Sequence, residues 1–268
     1  MLCDLHTHSC YSFDANVPVD EMCRAAIAAG LTDYAITDHC DVDYEVNHWR
    51  PNLDRDAVWE EMTAAKEKYK GQINILRGVE LGNITHYPDF ADKVLDAHPY
   101  DFVIGSVHNL RGMPDCSSFN YQEIPEKQRE FLFNQCLDEN IGIVKYGRIS
   151  TLGHITYMYR YIKLARLEMD FAPFRDKLCT LFGLLIEKDI PMEVNVSTMW
   201  RGLGFSMPHR ELLELYRSCG GKLLTVGTDS HSTEHVGECV KEGFALIKSC
   251  GFDSVCVWRD GKRVLEKI

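Results

Sequence analysis

At 268 residues, with 45% hydrophobic and 26% charged side chains, the chain has the makeup of a soluble globular protein and excludes a small disulfide-stapled module, a fibre or a disordered segment. A formal charge of -11 opposes non-specific binding to nucleic acid, so an anionic substrate would need a local positive centre. No apolar run approaches the ~20 residues of a membrane span, and the eleven cysteines, scattered without a CxxC pair, read as reduced thiols of a cytoplasmic protein.

Short β-like runs alternate with longer helix-like ones along the chain. Strands are expected at 3–5, 33–37, 74–79, 102–106, 152–154, 192–196 and 223–227, and helices at 19–29, 54–69, 88–97, 128–144, 174–187, 208–218 and 234–249. With no Pro/Gly/Ser-rich linker between them, these βα units imply one domain over residues 1–268 and parallel strands joined by helical crossovers. A closed barrel is favoured over a doubly wound sheet because polar residues follow nearly every strand: His6 and His8, Asp38 and His39, Glu80, His108, His154, Asn195, Asp229 and His231. Barrels build their active sites from that rim, whereas an open sheet gathers ligands at one or two switch points. The last stretch, 255–268, reads as a peripheral hairpin turning at Asp260-Gly261.

The chemistry is carried by imidazoles and acids at the strand ends. His6 and His8 stand two residues apart on a strand, so both project from one face and can share a cation. A lone strand histidine is more often a satisfied core or surface residue. Here, however, six of the eleven histidines (His6, His8, His39, His108, His154 and His231) sit directly after expected strands, with Asp14, Glu80 and Asp229 placed among them. Imidazole and carboxylate are the ligands favoured by borderline divalent metals such as zinc, manganese and iron, and the number of them predicts a multinuclear site. Its excess positive charge suits a phosphate group, which reconciles an acidic protein with an anionic substrate.

These residues, in the order HxH at His6 and His8, TDH ending at His39, GVE ending at Glu80, SVH ending at His108, GH ending at His154 and DSH from Asp229 to His231, resemble the PHP (polymerase and histidinol phosphatase) superfamily over the whole chain. They are most similar to its stand-alone histidinol-phosphate phosphatases. The resemblance implies a distorted TIM-like (β/α)7 barrel and three divalent metal ions. One would take His6, His8, Glu80 and Asp229; a second would share Glu80 and add His108 and His154; a third would take Asp14, His39 and His231. It also points to Arg160 and Arg201 as phosphate-binding residues, with Arg160 and Asp229 as catalytic ones. The implied reaction is hydrolysis of L-histidinol phosphate by water that the metals activate.

Rival readings are another small phosphate ester or a nucleotide as substrate, a deaminase or amidase on a similar barrel, and a non-catalytic metal-binding module. Glu80 in the bridging place argues against the amidohydrolase type, and the absence of a basic stripe argues against long nucleic acid. The expected partner is a small molecule alone, on a monomer or homodimer with no membrane contact. Of His48, His86 and His235, at least two are expected to face solvent, while His98 and His209 read as turn or helix-start residues beside Pro99 and Pro208.

Overall fold

The computed structural model describes residues 1–48 and 54–268. The strands are β1 (Cys3–Asp4), β2 (Asp33–Ile36), β3 (His39–Asp41), β4 (Asn74–Gly82), β5 (Phe102–Ser106), β6 (Thr151–Leu152), β7 (Met192–Asn195), β8 (Leu224–Gly227), β9 (Ser254–Arg259) and β10 (Lys262–Lys267). The first eight form one parallel sheet in the order β1-β2-β4-β5-β6-β7-β8, with β3 continuing the line of β2 against β4. The sheet curls until its edges meet. Leu5 N–H donates to the Val226 carbonyl at 2.9 Å, Asp229 N–H to His6 at 2.8 Å, and His8 N–H to Ser230 at 2.8 Å. This is the expected seven-position barrel, in which β2 and β3 count as one interrupted strand.

The interruption has a local cause. Asp38, between β2 and β3, turns its carboxylate inward to accept bonds from Ser9 N–H (2.6 Å), Ser9 hydroxyl (2.7 Å) and Ser12 hydroxyl (2.7 Å). It thereby fixes the segment after β1 against the segment after β2, which are the stretches that carry His8 and His39.

Helices cover the barrel as α1 (Val19–Ala28), α2 (Val42–Val46), α3 (Arg55–Lys68), α4 (Pro88–Ala97), α5 (Glu126–Tyr146), α6 (Tyr157–Leu164), α7 (Arg175–Glu187), α8 (Ser197–Trp200), α9 (Arg210–Ser218) and α10 (Val240–Ser249). Their ends follow ordinary rules. Asp54 caps α3 by accepting from Ala57 N–H at 3.1 Å, with Lys66 and Lys68 at the opposite, negative end of the helix dipole. Gly147 stops α5 at φ +82°, a conformation that costs a residue with a Cβ about 1–2 kcal/mol. The short helices α2, α6 and α8 were not expected, and α10 begins at Val240 rather than near 234 because a single turn at Thr233–His235 precedes it.

Between the layers lie wholly buried side chains such as Leu81, Phe102, Phe133 and Phe182, each contributing roughly 1.5–3 kcal/mol through burial. The terminal hairpin turns where expected, with φ +52° at Asp260 and +72° at Gly261. It is not peripheral. Val255, Cys256 and Val257 have no exposure, and the Trp258 ring packs edge-on against Phe102 at 4.9 Å. The Arg259 guanidinium grips Asp33 through two bonds of 2.9 and 2.7 Å, and Asn74 donates to the Trp258 carbonyl at 2.7 Å. Since Asp33 and Asn74 begin their strands, the hairpin caps the barrel end opposite the histidines.

Candidate metal centre

Parallel strands present their C-terminal ends on one rim, and β4 carries Glu80 into the middle of it with no solvent exposure. Five imidazoles surround this carboxylate. Oε2 lies 2.7 Å from His39 Nδ1, 3.4 Å from His6 Nε2 and 3.7 Å from His8 Nε2, while Oε1 lies 2.8 Å from His154 Nε2 and 3.1 Å from His108 Nε2. Asp229 closes the near side, its Oδ1 3.4 Å from His8 Nε2 and 3.8 Å from both His6 Nε2 and His231 Nδ1. Its φ of +54° is one that aspartate tolerates better than most residues. Asp14, in the loop after β1, faces His231 Nε2 at 3.3 Å and His39 Nε2 at 3.7 Å. All nine predicted ligands therefore converge on one mouth of the barrel.

Electrostatics within the cluster is set by this crowding. Burial alone would raise the Glu80 carboxyl, but His108, His6 and His39 hold it well below its usual range. Burial would likewise raise Asp229, and His8, His6 and His231 hold it down. Burial pulls the His6 imidazole down, yet Glu193 and Glu80 override it and keep it well above the ordinary value. His39 is pushed up to about 10 against the pull of burial, by Glu80 and Asp14. His8 goes the other way, lowered by burial and by the imidazoles of His231 and His39, which stack on it at ring separations of 4.1 Å.

The residues fit divalent cations. Among the described residues, the buried atoms His6 Nε2, His8 Nε2, His231 Nε2 and Glu80 Oε2 find no hydrogen-bond partner, although each faces another ligand-type atom. Leaving such groups unsatisfied costs roughly 1–3 kcal/mol each. Four triads bring potential ligand atoms within 4.8 Å of one another: His6-His8-Asp229, His6-Glu80-His154, His8-His39-His231 and His39-Asp41-His108. The grouping differs from the expected partition at His6, His8 and His39, each of which falls in two triads, and it introduces Asp41.

Sequence reading missed the residues that orient these ligands. Asp41 Oδ1 sits 2.8 Å from His108 Nδ1, and Glu193 Oε1 sits 2.6 Å from His6 Nδ1 while its Oε2 accepts from His154 N–H at 2.7 Å. Ser12 Oγ lies 3.0 Å from His8 Nδ1 and donates its hydroxyl hydrogen bond to Asp38. Such partners fix which ring nitrogen is left for a cation. Two glycines make room for them: a Cβ on Gly82 would lie 1.8 Å from Asp41 Oδ1, and one on Gly227 would lie 2.3 Å from His6 Cβ and 2.7 Å from Glu193 Oε1. The available signal was weak: Asp41 stands two residues beyond His39 on the same strand face.

Beside the cluster opens a cavity of about 250 Å³ lined by Asp14, His39, His108, Asp115, Tyr157, Arg160, Arg201 and Asp229, among others. Both predicted arginines reach it. Arg160 is mostly buried, 3.5 Å from Asp229 Oδ2 and over the Tyr161 ring at 5.0 Å, while Arg201 lies over the Trp200 ring at 4.2 Å. The other histidines stand apart. His48 is exposed and His235 half-buried against Trp200, whereas His86 is buried and held by Asp43 at 3.2 Å. His98 pairs with Asp56 at 2.9 Å, and His209 flanks the start of α9 beside Phe171.

Comparison with known proteins follows the same lines. A protein of Lactococcus lactis subsp. lactis (strain IL1403) named "Histidinol-phosphatase" is 28% identical over 258 residues, which cover 95% of this chain and 93% of that one. A protein of Thermotoga maritima named "Probable histidinol-phosphatase" is 24% identical over 262 residues, 98% of this chain and 97% of the other. Among solved structures, histidinol phosphate phosphatase from Lactococcus lactis, complexed with zinc, L-histidinol and phosphate, superposes with a TM-score of 0.82 over 99% of both chains at 24% identity. The PHP domain matches residues 4–197, which contain His6, His8, His39, Glu80, His108 and His154. On that match, the chain belongs to the PHP domain family.

Proposed function

We propose that the protein is a histidinol-phosphatase, hydrolysing L-histidinol phosphate to L-histidinol and phosphate with divalent cations at the mouth of its barrel. The observation that carries this reading is Glu80, a fully buried carboxylate with five imidazoles around its two oxygens and two arginines on the adjoining cavity wall. The names of the similar proteins, and the zinc, L-histidinol and phosphate of the superposable structure, support it.

We take the site to hold three cations. His6, His8, Glu80 and Asp229 would hold one, Glu80 with His108 and His154 a second, and Asp14, His39 and His231 a third. When bound, they would make a water molecule acidic and draw charge from the phosphoryl oxygens. Arg160, its Nε buried without a partner among the described residues, would take a phosphoryl oxygen and stabilise the charge that grows there, with Arg201 assisting from the outer wall. Asp229 stays a carboxylate at neutral pH and lies between the His6-His8 pair and Arg160, so it is placed to accept a proton from the attacking water. The leaving alkoxide would take its proton from solvent in the cavity. A cytoplasmic setting goes with this reading, in keeping with eleven free cysteines.

The test is turnover of L-histidinol phosphate against a panel of phosphomonoesters and mononucleotides, by protein stripped of metal and reloaded with zinc, manganese or iron. Histidinol phosphate should be the preferred substrate, and His6→Ala should retain less metal and no activity. Faster turnover of a mononucleotide, or none of any ester, would remove the reading.

A further inference from the structure

The cavity wall holds four aspartates, and three of them are committed to the imidazole cluster. Asp14 faces His39 and His231, Asp41 faces His108, and Asp229 faces His6 and His8. Among the described residues, Asp115 touches no imidazole. It is nonetheless buried, at 7% exposure, and it lines the same cavity as Arg160 and Arg201. Among the described residues its side-chain hydrogen bonds, from Ser117 N–H at 2.7 Å and the Tyr157 hydroxyl at 3.3 Å, both fall on Oδ1, and Oδ2 is left for a donor within the cavity.

The surroundings give it a defined place. Tyr161 donates to Tyr157 at 2.8 Å, and Tyr157 donates on to Asp115, so the two phenols hold the carboxylate still. The Tyr157 ring lies 5.1 Å from both His108 and His154. On the other side, the Arg160 guanidinium covers the Tyr161 ring at 5.0 Å and the Tyr157 ring at 5.6 Å. A fixed anion and a fixed cation thus flank one pair of tyrosines beside the cluster. A phosphate ester with no positive charge gains nothing from an acid in that position, because a buried carboxylate repels the phosphate it accompanies.

We propose that Asp115 is a specificity residue that binds a protonated amine close to the phosphate of the substrate, so that the cavity selects amino-alkyl phosphates over neutral phosphate esters. This rests on the reading above, since L-histidinol phosphate carries its ammonium two carbons from the ester oxygen. Ordering of the cavity follows: phosphate towards Arg160 and the cluster, ammonium towards Asp115. Discrimination then comes from an unpaired acid when the amine is missing, which penalises the wrong ligand more than the right one gains.

The experiment uses Asp115→Asn in the metal-loaded full-length protein, because asparagine retains an oxygen for Ser117 N–H and preserves the turn. The readouts are hydrolysis of 4-nitrophenyl phosphate and its inhibition by L-histidinol or by the same alcohol lacking the amine. In the unmodified protein L-histidinol should inhibit more strongly than the amine-free alcohol. In Asp115→Asn its inhibition constant should rise about tenfold or more, the scale of one charge-assisted hydrogen bond. The amine-free alcohol and 4-nitrophenyl phosphate, relieved of the unpaired acid, should bind as tightly as before or more tightly. Equal weakening of both alcohols, or no preference for the amine in the unmodified protein, would overturn the assignment. Failure of the function reading is visible separately, as absence of L-histidinol phosphate turnover.

Discussion

Replacing Glu193 by glutamine tests whether the ligands depend on the groups behind them. The residue is 1% exposed, and its side chain grips two members of the cluster, His6 Nδ1 at 2.6 Å and His154 N–H at 2.7 Å, with a third bond from Asn195 at 3.3 Å. Glutamine keeps the size but turns one acceptor into a donor. If its oxygen faces His154 N–H, the NH2 group meets His6 Nδ1, and the imidazole proton must move to Nε2, the atom that points at Glu80 and Asp229. If it is flipped, two donors meet at His154. Either arrangement removes a cation ligand or a main-chain bond. Loss of such a carboxylate partner weakens metal binding by about 10–100-fold, or roughly 1.4–2.8 kcal/mol. Metal content after dialysis against graded chelator gives the affinity, and kcat at saturating metal separates lost binding from lost chemistry. Wild-type metal retention in Glu193→Gln would refute the argument that this carboxylate sets the His6 tautomer.

Other outcomes follow from the same geometry. Arg160→Ala should leave metal content unchanged and lower kcat/KM by about thirtyfold, taking roughly 2 kcal/mol for a charge-assisted bond to phosphate; steady-state kinetics beside metal analysis checks both halves. Chelation should lower the melting temperature and added zinc or manganese should restore it, because a ligand at ~100 times its Kd adds about 2.7 kcal/mol to the folded state. Burial would raise the Asp33 carboxyl, but bonds from Arg259, Asn74 and Thr32 hold it below the usual range. The stabilisation it gives is therefore present above the unfolded carboxyl value of about 4 and is lost as pH falls through the lower folded value. Urea titrations of Asp33→Asn should show a deficit of about 1 kcal/mol or less at pH 7, given the partly exposed guanidinium, that vanishes in acid.

Most of the candidate cluster was legible because parallel strands deliver their last residues to one rim, so histidines and acids that follow strands are brought together there. Glu80, His108 and His154 needed no more than that. Asp41 and Glu193 escaped because their role lies in contacts to rings 67 and 187 residues away, and beyond the spacing of Asp41 from His39 nothing in their own neighbourhoods marks it. The hairpin was placed correctly and weighed wrongly for the same reason: Arg259 and Asp33 are 226 residues apart, and the turn chemistry of Asp260-Gly261 says nothing of what the strands pack against. Helices α6 and α8 went unseen because eight and four residues are too short for a periodic pattern to stand out.

The cap formed by β9 and β10 bears on how the polypeptide emerges from the ribosome. Its residues are synthesised after every barrel strand, so a nascent chain can complete the ring while Phe102 and the starts of β2 and β4 remain open to water. During that interval the floor of the barrel offers an apolar, sticky surface, and translation stalled before residue 254 would release a chain whose ring is closed yet which is prone to clump.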